Sequence, residues 1–516
     1  MFGLLLSIFL AALDQSIVAT AVPKIITDFQ DITGISWIST AYLVTTTALI
    51  PIFGTLGTIF GLKRTFLSAI FVFEVGSLLC GAAPSMPALI IGRAVAGIGK
   101  AGLFISVIVI ISEMVGRREN AKYQASFALV YAVSGVCGPL IGGALTDGIG
   151  WRWCFYLNLP VGLIATVLVI LLVPSDPPSK SGGTLISKLR RIDFLGCFLL
   201  CASMLLILVP LSLGGVQYKW SDAIIIVMLV IGVALIPILA WVELRHPEPI
   251  ILPSLFRNPN AVVVFTAAFF GGMVYNATIY YVPVYLQVAH GSTALASGLI
   301  TVPFILSIQP AVLLSGWGVA RWGKFGAWWV AGGLGMVVGT ALLTTLDEGS
   351  GDAKQIGIMI LCGISIGLYI QLPISGAQNA VEGEMAGKAI AVANFFGVLG
   401  PVFGIAVTST VFTNTLSSSL TRLAPHASLS WVQNHPVEVR SAPPNYVPPE
   451  EIAGAVRAFV ESLRAVFYVT VGMGACLVVA AVGTVLVGVS IVDEKGTNEK
   501  VGTEGENELT IVDTLE

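Results

Sequence analysis

Apolar runs of about 20 residues, the length a helix needs to cross roughly 30 Å of hydrocarbon, recur along the whole chain. They fall near 2–22, 37–57, 66–84, 87–111, 124–147, 155–173, 194–214, 222–243, 261–286, 296–317, 327–346, 356–377, 388–411 and 466–490, which predicts fourteen transmembrane helices. Three polar stretches between or after them are longer than simple turns. Residues 174–193 hold Pro174, Pro177, Pro178, Lys188, Arg190 and Arg191 and read as a polar linker. Residues 412–465 hold Pro425, Pro436, Pro443, Pro444, Pro448 and Pro449 and read as an external loop ending in a short amphipathic helix near 450–464. The acidic, glycine-containing stretch 491–516 has the composition of a disordered cytoplasmic tail.

Charge then orients the runs. One set of loops holds Lys63, Arg64, Arg117, Arg118, Lys122, Lys180, Lys188, Arg190, Arg191, Arg245, Arg257, Arg321, Lys324 and Lys388, whereas the short loops of the other set hold Lys24, Arg152, Lys219 and Lys354. Basic loops stay on the cytoplasmic side, so both termini are expected there. The first run has neither a basic leader nor a small-residue cleavage site and reads as a retained span. A cytoplasmic tail usually precedes such a span, which leaves open whether Met1 is the true start.

The runs also repeat. Gly135-Val136-Cys137-Gly138-Pro139-Leu140-Ile141-Gly142 returns as Gly397-Val398-Leu399-Gly400-Pro401-Val402-Phe403-Gly404, an offset of 262 from residue 135 to residue 397. The same offset carries Gly54 to Gly316, Gly61 to Gly323 and Asp14 to Asn276. Runs 1–6 therefore correspond to runs 9–14, and runs 7 and 8 are inserted. The expected fold is an all-α polytopic membrane protein of two pseudo-repeated halves, 1–173 and 244–490, joined by the linker 174–193 and the inserted pair 194–243. Paired halves with matching helix-breaking positions mark secondary transporters.

Composition narrows the class further. Of 516 residues 56% are hydrophobic and 11% charged, against roughly a quarter charged in soluble domains. A net charge of −3 without a basic block points to no nucleic-acid partner. The seven cysteines lie scattered in or beside apolar runs and read as packing residues. Gly99-Lys100 is followed by Ala101 and lacks the earlier glycine of a phosphate-binding loop, so no nucleotide-driven pump is expected. The histidines, His246, His290, His426 and His435, form no cluster for a membrane enzyme such as a desaturase. No enzyme activity and no cofactor is expected; a receptor or scaffold is the remaining non-transport alternative.

Several segments together carry a family resemblance. They are Leu13-Asp14-Gln15-Ser16-Ile17-Val18-Ala19-Thr20-Ala21-Val22-Pro23, Phe73-Glu74-Val75-Gly76-Ser77-Leu78-Leu79-Cys80, Gly92-Arg93-Ala94-Val95-Ala96-Gly97-Ile98-Gly99, Gly135 to Gly143, and Trp151-Arg152-Trp153-Cys154-Phe155-Tyr156-Leu157-Asn158-Leu159-Pro160, with Gly214-Gly215 and Trp220 in support. From about residue 10 to 490 the chain resembles the fourteen-span drug:proton antiporters of the major facilitator superfamily, fungal toxin-efflux branch. The resemblance implies proton-coupled efflux of a hydrophobic metabolite, toxin or drug, by a monomer in the plasma membrane, with the vacuolar membrane as the alternative address. A siderophore-iron or vacuolar basic amino acid transporter of the same fold is the alternative function. Two departures from the pattern stand out: Thr58 and Leu62 replace an aspartate and a basic residue in the loop after run 2, and Lys100 replaces a small residue.

Charges within the bilayer cost several kcal/mol and call for a partner or a task. At about 1.5 Å per residue, Asp14 and Arg93 lie roughly 12 and 9 Å below the outer ends of their helices, so they can pair. They are expected to face the central cavity, with a proton on Asp14 releasing Arg93; a static pair locking two helices is the alternative. Glu74 lies deep enough to meet Lys100 in a second pair, which would add a proton site, and Lys100 could instead attract an anionic substrate. Gly54, Gly61, Lys63 and Arg64 are the candidate gate. Gly135, Gly138, Pro139, Gly142, Gly143, Gly400 and Pro401 are the candidate hinges, because glycines allow close helix approach and proline removes a hydrogen bond. Tyr275, Asn276, Tyr280, Gln371, Gln378, Asn394 and Phe395 are expected to contact cargo beside Lys100; interfacial placement of the tyrosines is the competing reading.

Overall fold

In the computed structural model, which describes residues 2–29, 35–115, 117–173, 192–214, 218–247, 249–290, 294–347, 349–381, 385–434 and 436–487, the apolar runs are helices throughout. The first half contains α1 (Phe2–Phe29), α2 (Ile35–Phe60), α3 (Leu62–Gly81), α4 (Met86–Met114), α5 (Arg117–Gly148), and a sixth passage broken into α6 (Trp153–Tyr156) and α7 (Asn158–Leu172). The inserted pair is α8 (Phe194–Leu213) and α9 (Ala223–Glu243). The second half contains α10 (Pro259–His290), α11 (Ala294–Trp322), α12 (Gly326–Leu343), a passage broken into α13 (Asp352–Gly367) and α14 (Leu372–Asn379), α15 (Met385–Leu423), α16 (Leu429–Asn434) and α17 (Ile452–Val487). Among the described residues thirteen passages are long and apolar enough to span a membrane, and α1 adds the shorter apolar stretch Gly3–Val18. Together they match the fourteen runs one for one.

The loop expected over 412–465 is shorter than that, because helix α15 continues to Leu423. The short helix expected near 450–464 is present from Ile452, but as one piece with the last span in α17. The polar serines and threonines of 413–421 resemble a loop in hydropathy, but helices carry on into water once their apolar face is covered. Here Leu416, Leu420, Val456 and Phe459 close a small core with Val432, Val439 and Val447. Most of the expected linker (174–191) and the whole tail 491–516 lie outside the described residues.

Local geometry repeats as the sequence does. Gly61 and Gly323, equivalent under the 262-residue offset, turn the chain with φ of 96° and 70°, a region that favours glycine. A methyl group on Gly138 would collide with Ser16 Oγ of α1, and one on the equivalent Gly400 would collide with the Phe269 carbonyl of α10. Each half thus packs its fifth passage onto its first through a missing side chain. Gly135 and Gly397, also equivalent, face open space.

One end of the bundle, which carries Lys63, Arg64, Arg245, Arg257, Arg321, Lys324 and Lys388, is called the basic end below. There the halves touch. A methyl on Gly54 of α2 would lie 2.6 Å from Ala391 Cβ of α15. Gln378 Nε2 of α14 donates to the Ser112 carbonyl of α4 at 2.9 Å. Ile374, Ile390, Ala391, Phe395 and Leu399 continue the hydrophobic core of the first half across this seam. The segment after α9 straps it: Lys388 Nζ donates to the Pro249 carbonyl at 2.9 Å, and Ile251 N donates to buried Glu243 at 3.3 Å.

Candidate functional site

Helix α4 presents two faces to two neighbours. Gly92, Ala96 and Gly99 meet Cys80, Gly76 and Phe73 of α3 with no room for larger side chains. Arg93, Gly97 and Lys100, spaced four and three residues apart, share the other face, where a methyl on Gly97 would strike the Tyr42 carbonyl and Thr45 of α2.

On that second face Arg93 Nη1 meets Asp14 Oδ2 of α1 at 2.6 Å, and both side chains are buried, at 2% and 0% exposure. Asn158 Nδ2 donates to Asp14 Oδ1 and to Ser77 Oγ, each at 3.0 Å, so both carboxylate oxygens are engaged. Arg93 Nε donates to the Ile38 carbonyl at 3.3 Å, and the guanidinium lies 4.0 Å from the centre of the Tyr42 ring. Tyr42 in turn donates to the Ala11 carbonyl at 3.2 Å. Four helical passages therefore converge on one ion pair. Removing one partner of a buried pair costs about 3–5 kcal/mol, because the other charge is left uncompensated.

The pair does not face the central cavity, contrary to expectation. A cavity of about 520 Å³ lies between the halves, and Asp14 and Arg93 are absent from its wall. Their neighbours take that place: Gln15, one residue along α1, and Lys100, two turns along α4, both line it. Lys100 Nζ donates to Gln15 Oε1 at 2.7 Å and lies 4.7 Å from the Tyr42 ring centre. The Tyr42 ring thus touches both cations and ties the buried pair to the cavity wall.

Glu74 does not pair with Lys100. It sits on the opposite side of α4, pressed against Gly162 of α7, and both its carboxylate oxygens are buried without a hydrogen-bond partner. Depth alone could not reveal this, since the two residues have similar heights but opposite azimuths. Of the expected cargo contacts, Lys100, Tyr275, Asn276, Gln371 and Asn394 line the cavity, joined by Tyr131, Tyr369, Gly397 and Pro401. Three do not. Gln378 is in the basic-end seam, Phe395 is in the shared core, and Tyr280 is 55% exposed beside Tyr281.

The candidate gate residues also separate. Gly54 lies in the seam, whereas Lys63 Nζ caps the end of α7, donating to the carbonyls of Ile170 at 2.9 Å and Val173 at 2.6 Å. Arg64 is exposed. Gly142 accepts from Cys154 Sγ at 3.8 Å, and Gly143 faces open space. The side chain of Pro139 lies outside the described residues. Helix α15 passes through Pro401 unbroken.

Gln15 and Asn158 were not singled out from the sequence. The spacing of seven between Arg93 and Lys100 would have placed them on one face, and Gln15 follows as the neighbour that points where Asp14 does not. The repeat offset adds a contrast between halves. It takes Asp14, Glu74, Arg93 and Lys100 to Asn276, Met336, Gln355 and Cys362, so each of these charges has an uncharged counterpart.

Residues 4–405 match the family model of the Major Facilitator Superfamily. The chain is similar to the MFS-type efflux pump MFS1 of Arthroderma benhamiae, 34% identical over 486 residues, covering 93% of this chain and 90% of that one. It is 31% identical over 488 residues to the efflux pump roqT of Penicillium rubens (94% and 89% covered), and 33% identical over 484 residues to the efflux pump aunC of Aspergillus niger (93% and 90%). Among solved structures, the proton:xylose symporter XylE aligns with a TM-score of 0.59 at 14% identity, covering 94% of each chain. The human organic anion transporter MFSD10 aligns at 0.58 and 13%, covering 92% of this chain and 98% of that one; both likenesses speak to fold alone. With fourteen helical passages in a six-plus-two-plus-six order, the chain belongs to the Major Facilitator Superfamily.

Proposed function

We propose that this protein exports a hydrophobic small molecule, such as a secondary metabolite, toxin or drug, in exchange for protons. The observation that carries the reading is the Asp14–Arg93 pair, buried one residue from Gln15 and two turns from Lys100 in the wall of the cavity between the halves. A proton on Asp14 weakens its hold on Arg93, and the shared Tyr42 ring passes the change to the cavity wall. Glu74, a buried carboxyl against α7, is the second exchangeable proton site. The relatives named as efflux pumps support the direction of transport.

Closure of the seam at Gly54 makes the present state the one sealed at the basic end. Transport then requires the halves to part there and close at the opposite end, with Gly135, Gly138, Gly400 and Pro401 as the flexing positions. By the positive-inside rule the sealed end and both termini are cytoplasmic, and a plasma-membrane monomer is the simplest arrangement. One proton moving across ~100 mV yields roughly 2.3 kcal/mol, and two pH units add about 2.7 kcal/mol. Together they sustain a substrate gradient of roughly several thousandfold. The cavity wall has no carboxylate among the described residues, which argues against basic amino acids as cargo.

The test is transport by the purified chain in sealed proteoliposomes with an imposed pH gradient and a panel of fluorescent hydrophobic compounds. Accumulation that collapses when the gradient is dissipated supports exchange with protons. A receptor or scaffold would give none, and so would contradict the reading.

A further inference from the structure

The cavity wall holds a basic side chain and, among the described residues, no carboxylate. Lys100 is the one charged side chain among the described residues of its wall, and the residue is 6% exposed. Its ammonium has three N–H donors, yet it makes a single hydrogen bond, to the neutral oxygen of Gln15, and otherwise rests near the Tyr42 ring. Asp14 offers it no hydrogen bond, because both carboxylate oxygens are held by Arg93 and Asn158. Across the cavity, Asn394 of the second half is 8% exposed, and its amide nitrogen has no acceptor. Each wall therefore has N–H donors left without an acceptor, while most of the remaining wall is apolar.

We propose that the cavity selects organic anions: molecules with an apolar body and one ionised acidic group, held by the spare N–H donors of Lys100 and by Asn394. A charge-assisted hydrogen bond in a water-poor site is roughly twice as strong as a neutral one, and a buried unpaired charge is costly. An anion therefore relieves the empty site as well as filling it. A cationic ligand meets like charge in the same place. Because Lys100 belongs to the first half and Asn394 to the second, a bound anion also bridges the two halves that must move. As a statement about cargo, this assignment rests on the export reading above; as a statement about binding, it stands on the cavity alone.

Three ligands with one naphthalene body separate the charge classes: 2-naphthylacetate, 2-naphthylacetamide and 2-(2-naphthyl)ethylamine. Their binding to the full chain in lipid nanodiscs is measured by titration calorimetry, with empty nanodiscs correcting for lipid partition. The wild type is expected to bind the acetate at least about tenfold more tightly than the amide, and the amine most weakly. Lys100→Gln is expected to erase that preference, Lys100→Arg to keep it, and Asn394→Ala to weaken the acetate severalfold. The assignment is overturned if the amide or amine binds the wild type as well as the acetate does, if no probe binds, or if folded Lys100→Gln retains the order. Proteoliposome flux distinguishes the two readings. Anion-selective binding without flux removes the export reading and leaves the site, whereas pH-driven flux of the amide without acetate preference removes the site and leaves export.

Discussion

Alanine in place of Gly54 would put a methyl carbon 2.6 Å from Ala391 Cβ, across the seam between the halves. Carbon atoms in contact prefer about 3.5–4.0 Å, so α2 and α15 would have to separate by roughly 1 Å. Overpacking of this kind costs about 1–3 kcal/mol. The penalty applies only while the basic end is closed, so the same energy shifts the closed-to-open equilibrium about 5- to 150-fold. Gly76→Ala is the control. Its methyl would collide with the Ala96 backbone of α4, a contact wholly inside the first half, and the strain is then common to both states. Spin labels at exposed Arg64 and Lys324 report the basic end, and labels at Ser85 and Thr345 report the opposite end. Gly54→Ala is expected to lengthen the first distance and shorten the second, while Gly76→Ala lowers the melting temperature and leaves both distances unchanged. Equal melting losses with unaltered distances in both variants would refute the idea that this seam opens during transport.

Lys63→Ala removes two hydrogen bonds to the end of α7; with the side chain partly solvated, a loss of about 1 kcal/mol is expected, read as a lower melting temperature in nanodiscs without a change in substrate affinity. Gln378→Ala loses the bond to Ser112 across the seam and is expected to shift the Arg64–Lys324 distance the same way as Gly54→Ala, but by only about 1 kcal/mol; an unchanged distance distribution would remove Gln378 from the gate. Glu74→Gln keeps the volume beside Gly162 but removes a proton site, so protons moved per substrate, measured from reversal potentials, should fall while substrate affinity stays constant.

Helix number, the repeat and the basic end were legible in the sequence because lipid imposes a length on every span and a charge bias on every loop. The depth of Asp14 and Arg93 followed from helical rise alone, and the structure brings them to 2.6 Å. Azimuth was harder to read. In a helix that is apolar all round, no polar face marks which side is inward, so Glu74 was set beside Lys100 although α4 separates them. The same blindness placed Asp14 rather than Gln15 in the cavity wall, an error of one residue and about 100°. At the other extreme, Thr413 to Thr421 read as loop because hydropathy reports burial in lipid, whereas α15 runs on to Leu423 by packing on α17. Lys63 was assigned to the gate by motif, but its reach to the end of α7 depends on a tertiary approach no local pattern encodes.

The central claim is that Asp14 couples proton movement to the cavity, and Asp14→Asn in proteoliposomes tests it most directly. Substrate-for-substrate exchange needs only binding and rocking, whereas uphill accumulation also needs the proton. The account predicts that Asp14→Asn retains exchange but loses accumulation driven by a pH gradient. Uphill accumulation by correctly folded Asp14→Asn at the wild-type level would contradict it.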